Sequence, residues 1–269
     1  MIPCINQATV LTTDTLGFAN AAQKHGFTHV ELDIGKVEEC IAKHGRAALK
    51  KHLVESGITV VSLNAIENYP ILGHDEMIRS LRRCEEIIQL SSSLNCKIVV
   101  VNPNEVTATE RVNMEKRFDE FMIKAAEISV THDVLLGFEY VSYENRIINS
   151  LAQSLAALHR WESGIGLVLD VFHMYRSGET IKAIPTKDSH LLWAIHINDA
   201  PNTSILDLRD SDRVMPLEGV MNLREYVREL QALNFNGPVS VELFNKKYWD
   251  MDCDSVIAKA RISLKELGV

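Results

Sequence analysis

No apolar run in this sequence approaches the ~20 residues a helix needs to cross a bilayer, so no membrane span of that kind is expected. The start, Met1-Ile2-Pro3-Cys4-Ile5-Asn6, has no basic region followed by a long apolar stretch, and no secretory signal is read there. Cysteine is sparse: five residues, at 4, 40, 84, 96 and 253, an odd number with no Cys-x-x-Cys spacing. That pattern argues against a disulfide frame or a zinc knuckle and fits reduced thiols in a cytoplasmic protein, none of them a good candidate nucleophile. Positive charge is also short. With 28 Lys and Arg against 36 Asp and Glu, the formal charge is −8, the wrong sign for a nucleic-acid clamp. The densest basic run, Lys50-Lys51-His52, falls on an expected helix and reads as a solvated face. Seven prolines and thirteen glycines are scattered, without a linker or low-complexity segment, so residues 1–269 read as one domain.

What the chain does have is a repeated alternation of strand and helix. Strands are expected over 2–9, 29–34, 58–65, 97–101, 134–140, 166–171, 191–198 and 239–244. Helices are expected over 15–25, through about 56, and over 75–94, 110–131, 150–161, 179–184, 223–233 and 253–267. In the fourth helix Phe118, Phe121, Met122 and Ala125 share one face. Gly26, Gly57, Gly164 and Gly237 stand where helix C-caps are expected. Eight such units in about 270 residues match the count and length of a single (β/α)8 TIM barrel, whereas an open doubly wound sheet more usually has five or six strands.

Four apolar runs in the second half end in residues able to bind a metal. They are Val134–Phe138 before Glu139, Gly166–Leu169 before Asp170, Leu191–Ile195 before His196, and Val239-Ser240-Val241 before Glu242. A buried parallel strand is apolar almost throughout, so a carboxylate or imidazole at its C-terminal end sits at the rim where α/β enzymes place their chemistry. Taken singly, each has a plain structural role open to it. Glu139 could begin a polar loop, Asp170 could cap a helix (although the next helix is expected only later), His196 could be a hydrogen-bonded core histidine, and Glu242 could pair with a neighbouring strand. All four in successive units have one common explanation in a divalent cation. Three carboxylates and an imidazole suit Mn²⁺, Mg²⁺ or Co²⁺, and Zn²⁺ is compatible.

The segments Asn6-Gln7-Ala8-Thr9, Leu63-Asn64-Ala65, Gly166 to His173, Asp212-Arg213-Val214 with Pro216, and Val239 to Phe244 carry a resemblance across essentially the whole chain. The sequence resembles the sugar phosphate isomerase/epimerase superfamily, the xylose-isomerase-like TIM barrels, and within it the inosose isomerases of bacterial inositol catabolism. That resemblance implies one divalent metal held by Glu139, Asp170, His196 and Glu242, and substrate contacts from His173 and Arg213. It departs at Pro216-Leu217-Glu218-Gly219, where relatives commonly carry Gly-x-Gly, so Leu217 replaces a residue free to take positive φ and leaves the loop shape in question.

The implied activity is a metal-dependent isomerisation or epimerisation of a small-molecule keto-sugar or keto-inositol, through an enediolate. Glu139 and Glu242 are expected to act as the paired base and acid. His173 and Arg213 are expected to orient hydroxyls. Polar residues at the early strand ends, Asn6, Glu31, Asp33, Asn64 and Glu67, are expected to line the pocket in part, Asn64 being the favoured substrate contact. A dehydratase would use the same first step. A non-catalytic sugar-binding relative is the other alternative. Endonuclease IV shares the barrel but needs further histidine ligands and a basic face that are missing from this sequence. No nucleic-acid or membrane partner is implied, and a homo-oligomer is compatible with the sequence although no apolar stripe marks its interface.

Overall fold

The computed structural model describes residues 1–161 and 164–269. Eight parallel strands close on themselves in chain order, β1 (Ile2–Asn6), β2 (His29–Asp33), β3 (Thr59–Ile66), β4 (Ile98–Val101), β5 (Leu135–Glu139), β6 (Ile165–Asp170), β7 (Leu192–Ile197) and β8 (Pro238–Val241), with β8 pairing back on β1. The helices are α1 (Thr15–Lys24), α2 (Ile34–His44), α3 (Arg46–Glu55), α4 (His74–Ser93), α5 (Arg111–Thr131), α6 (Leu151–Leu158), α7 (Val171–Ser177), α8 (Leu223–Ala232), α9 (Lys246–Trp249) and α10 (Cys253–Leu267). This is the (β/α)8 barrel expected from the count of units.

Two packing layers follow from the period of two along a strand. The small side chains Val100, Val168 and Ala194 pack with Ala65 as a cluster of their own, separate from the main core. The alternate residues Val101, Phe138, Leu169 and Ile195 belong to that main core, which includes buried residues of the flanking helices. Phe118 of α5, Phe138 of β5 and Trp161 pack edge to face or tilted against one another with centroid separations of 5.1–6.0 Å. Each such fully buried apolar side chain contributes about 1.5–3 kcal/mol. The helical face expected from Phe118, Phe121, Met122 and Ala125 is the face that α5 buries.

Several boundaries differ from the sequence reading. The first strand stops at Asn6 instead of residue 9, because the Asn6 side chain accepts the Ala8 N–H at 2.9 Å and turns the chain into a 3₁₀ segment, Gln7–Val10. The second unit holds two helices, parted at Gly45 with φ +84. The helix expected over 179–184 is only a 3₁₀ turn, Ile181–Ala183, and the true helix α7 begins directly after β6. Gly26, Gly57 and Gly164 do take positive φ. Gly237 does not, and serves instead a close approach: a Cβ there would lie 2.7 Å from the Trp193 carbonyl oxygen. Among the described residues no helix is long and apolar enough to cross a membrane.

Candidate metal centre and active site

Strand geometry brings the four candidate ligands to one end of the barrel. Glu139 closes β5, Asp170 closes β6, His196 is the penultimate residue of β7, and Glu242 directly follows β8. Asp170 and His196 are register partners in adjacent strands. Glu139, Asp170, His196 and Glu242 are all buried, and each offers a ligand atom within 4.8 Å of the others.

Each of the four has one atom tied to the protein and another facing the cluster. Glu139 Oε2 accepts from Asn102 Nδ2 at 2.9 Å, while Oε1 lies 2.7 Å from His196 Nδ1. Glu242 Oε1 accepts from Asn6 Nδ2 at 2.8 Å, and Oε2 lies 3.2 Å from His196 Nδ1. Asp170 Oδ1 accepts from the Phe172 N–H at 2.7 Å and from Asn198 Nδ2 at 2.9 Å. Asp170 Oδ2 is buried without a hydrogen bond, although Arg213 Nη1 stands 2.5 Å away as an ion-pair partner. Asp170 therefore does cap a helix, contrary to the reading that α7 starts too late for it. The cap uses one oxygen and leaves the other for the cluster.

Arg213 reaches into the same cluster. Its Nη1 donates to Glu242 Oε2 at 2.8 Å and its Nη2 to Asp210 Oδ1 at 2.5 Å, and the guanidinium lies 5.1 Å from the centroids of both Phe172 and Phe244. Asp210 is braced by Tyr143, whose hydroxyl donates to Oδ2 and accepts the Asp210 N–H, both at 2.9 Å. His173, one turn into α7, is buried with Nε2 3.3 Å from Arg213 Nη2 and 3.5 Å from Asp210 Oδ1.

The charges do not balance among protein groups. Among the described residues Glu31, Glu139, Asp170, Asp210 and Glu242 supply five carboxylates, and the cation candidates paired with them are Arg213 and His196, with His173 near Asp210. Burial pushes the Glu139 carboxyl up to about 7 against the pull of His196, with Glu242 and Asp170 adding to the rise. Burial alone would lower His196, but the Glu242, Glu139 and Glu31 carboxylates outweigh it and hold its pKa well above the ordinary value. Burial lowers His173 and favours its neutral form. Nδ1 of His196 faces two carboxylate oxygens, an arrangement that requires a proton or a cation between them. The donor set, an Asp170 Oδ2 that has an ion-pair partner but no hydrogen bond, and the excess of negative charge all fit a divalent cation bound by hard oxygens and one imidazole.

A cavity of about 380 Å³ opens beside the cluster, within the range of small-molecule sites. Glu139, Glu242, His173, Arg213 and Asn64 all line it. Asp170 and His196 are buried and do not line it. Of the early strand-end residues, Asn6, Asp33, Asn64 and Glu67 are in the wall, whereas Glu31 is fully buried and touches His196 Nε2 at 3.1 Å. Asn64 spends its Nδ2 on Glu31 Oε2 and Ser62 Oγ, so its Oδ1 is the atom open to a ligand. Asn102 and Asn198 are site residues that the sequence reading does not include, although each ends or directly follows an apolar strand run. Asp210 had no sequence signal, because it reaches the cavity only when the loop after β7 folds back over the barrel.

The sequence profile described as xylose isomerase-like TIM barrel matches residues 19–267. An inosose isomerase of Bacillus velezensis is 27% identical over 268 residues, covering 96% of this chain and 94% of that protein. The crystal structure of the IOLI protein with a bound zinc atom superposes with a TM-score of 0.90 at 25% identity, covering 99% of this chain and 98% of the other. D-psicose 3-epimerase of Clostridium cellulolyticum, solved with D-tagatose, superposes at 0.77 with 16% identity over 100% and 98% of the two chains, a likeness of fold alone.

Proposed function

The chain belongs to the xylose isomerase-like TIM barrel family, and from that premise we propose that it is a divalent-metal-dependent isomerase or epimerase of a keto-polyol, with inosose (2-keto-myo-inositol) or a related ketose as substrate. The observation that carries this reading is the convergence of Glu139, Asp170, His196 and Glu242 within 4.8 Å, with Glu139 and Glu242 also lining the cavity. Those four residues would hold the cation. When bound, it would supply Lewis-acid stabilisation of the negative charge that develops on the substrate oxygens.

The remaining work falls to side chains of this chain. A carbon next to a carbonyl is a weak acid, so a base must be positioned against its C–H bond. Glu139 and Glu242 come from strands on different sides of the barrel mouth, and both line the cavity. One removes the proton, and the electron pair left behind moves on to the carbonyl oxygen to give the enediolate. The other returns a proton to carbon. Asn102 and Asn6 hold one oxygen of each glutamate and so fix the direction from which the proton is taken or delivered. Arg213, with Phe172 and Phe244 against its guanidinium, presents donors to substrate hydroxyls, and neutral His173, whose Nε2 accepts from Arg213 Nη2, holds that guanidinium in the cavity wall and restricts the bound geometry. The Oδ1 of Asn64 accepts a hydroxyl from the opposite wall.

The test is incubation of the metal-loaded protein in D₂O with 2-keto-myo-inositol and a panel of ketohexoses, followed by NMR at the carbon next to the carbonyl. Metal-dependent deuterium incorporation, lost in Glu242→Gln, is the expected result. Identification of the product then separates isomerisation from loss of water. Bound metal without exchange on any compound would leave a sugar-binding role in place of catalysis.

A further inference from the structure

We propose that Glu31 is a positioning residue of the metal centre, which fixes His196 so that its Nδ1, and not its Nε2, is the ligating nitrogen. This rests on the metal-dependent reading above. Glu31 lies midway along β2, fully buried. Burying a carboxylate is costly unless charge and hydrogen bonds compensate it. Among the described residues its only ion-pair partner is His196, through Oε2 and Nε2 at 3.1 Å. The same oxygen accepts from Ser62 Oγ at 2.5 Å and Asn64 Nδ2 at 2.8 Å, so three donors converge on it. Oε1 has none. A carboxylate has no reason to sit so deep for the sake of two neutral donors on the next strand. The histidine provides the reason.

The geometry at His196 is asymmetric. Nδ1 faces Glu139 Oε1 at 2.7 Å and Glu242 Oε2 at 3.2 Å, two of the candidate ligand atoms. Nε2 faces Glu31 alone among the carboxylates of the described residues. A carboxylate only accepts, so Nε2 must carry the proton in the pairing, which leaves the Nδ1 lone pair for the cation. A carboxylate behind a ligating histidine also makes the imidazole a stronger donor and holds the ring plane. Glu31 reaches further than this one ligand. By taking the Asn64 Nδ2, it also sets the face that Asn64 turns to the cavity, and so ties a metal ligand to the substrate wall through a single buried oxygen.

The experiment measures metal binding to the whole protein by competition with a chromophoric chelator, using Mn²⁺, Co²⁺ and Zn²⁺. It is paired with ¹⁵N histidine NMR of the zinc-loaded protein. Glu31→Gln keeps the size of the side chain and can still offer a carbonyl oxygen to Nε2–H. It should fold, keep the Nε2–H tautomer of His196 and bind each cation about tenfold more weakly. Glu31→Ala removes the acceptor, and is expected to lose the single tautomer and about a hundredfold in affinity. If Glu31→Ala fails to fold, Glu31→Gln alone carries the test. Unchanged affinity in Glu31→Gln, or metal-bound Nε2 in the native protein, would overturn the inference. The two readings fail separately. A native protein that binds none of the three cations overturns the metal centre itself. Binding that is lost in Glu242→Gln but untouched at position 31 overturns only the role of Glu31.

Discussion

At the scale of single residues, Leu217 shows how a local rule can be broken and the structure kept. The loss of a glycine there put the loop in question, yet Leu217 takes φ +74, in the left-handed region where a Cβ is disfavoured. The loop is held from beneath by Asp199, whose carboxylate accepts the N–H groups of Ala200 (2.8 Å), Leu217 (3.1 Å) and Met221 (2.9 Å). Backbone hydrogen bonds therefore impose the conformation, and the side chain at 217 bears the strain. We predict that Leu217→Gly is more stable than Leu217→Ala, although it removes more of the side chain. Both lose the same packing of Leu217 against the core, but only alanine keeps the Cβ, a difference of about 1 kcal/mol. In thermal unfolding this is about 2–4 °C for a chain of this size. The opposite order would show that the residue's contacts, and not its backbone, decide the position. Asp199 follows Asn198 in the sequence with nothing to announce this role, since Leu217 and Met221 lie far along the chain from it.

At the scale of elements, what the sequence reveals depends on whether a signal is local. The four cluster residues were legible because each ends an apolar run, and the pleat then directs them all to one side. Asn102 and Asn198 sit at the same rim but look like ordinary turn residues. α7 starts earlier than the sequence pattern suggests, because one side chain has two tasks. Asp170 Oδ1 caps the helix through the Phe172 N–H, and Gly178, with φ +70, ends it after seven residues. Those two functions can be separated by substitution. Asp170→Asn retains an acceptor for the cap and loses the charge, whereas Asp170→Ala loses both. Both variants should lose most of their metal affinity in a chelator competition. In the metal-free state, Asp170→Ala should be the less stable by about 1 kcal/mol, the usual value of an N-cap. Equal melting temperatures would mean that the cap contributes nothing and that α7 is held by packing alone. His173 depends on the same start, since it lies three residues beyond Asp170 and reaches Arg213 only from that turn.

At the scale of the whole molecule, the barrel concentrates its negative charge at one end, where five carboxylates meet Arg213 and His196. The count of eight units is legible from the alternation, but this convergence across β2, β5, β6, β7, the loop after it and the end of β8 emerges only when the barrel closes. A cation that binds the folded chain and not the unfolded one must stabilise it, by about 2.7 kcal/mol at a hundred times its dissociation constant. Mn²⁺, Co²⁺ or Zn²⁺ should therefore raise the melting temperature in a concentration-dependent way, EDTA should reverse the gain, and Glu242→Gln should abolish it. The effect of pH has a definite sign. In the metal-free protein His196 has a raised pKa, so its proton contributes stability that is fully present below its unfolded value near 6.5 and is lost as pH rises through the folded value. The cation needs that nitrogen deprotonated, so its binding releases a proton and weakens in acid. The metal-induced rise in melting temperature should then grow between pH 6 and 8 while the metal-free protein gains nothing from this histidine. A rise that is independent of pH over that range would mean that the cation binds without displacing the proton of His196, at some place other than this cluster.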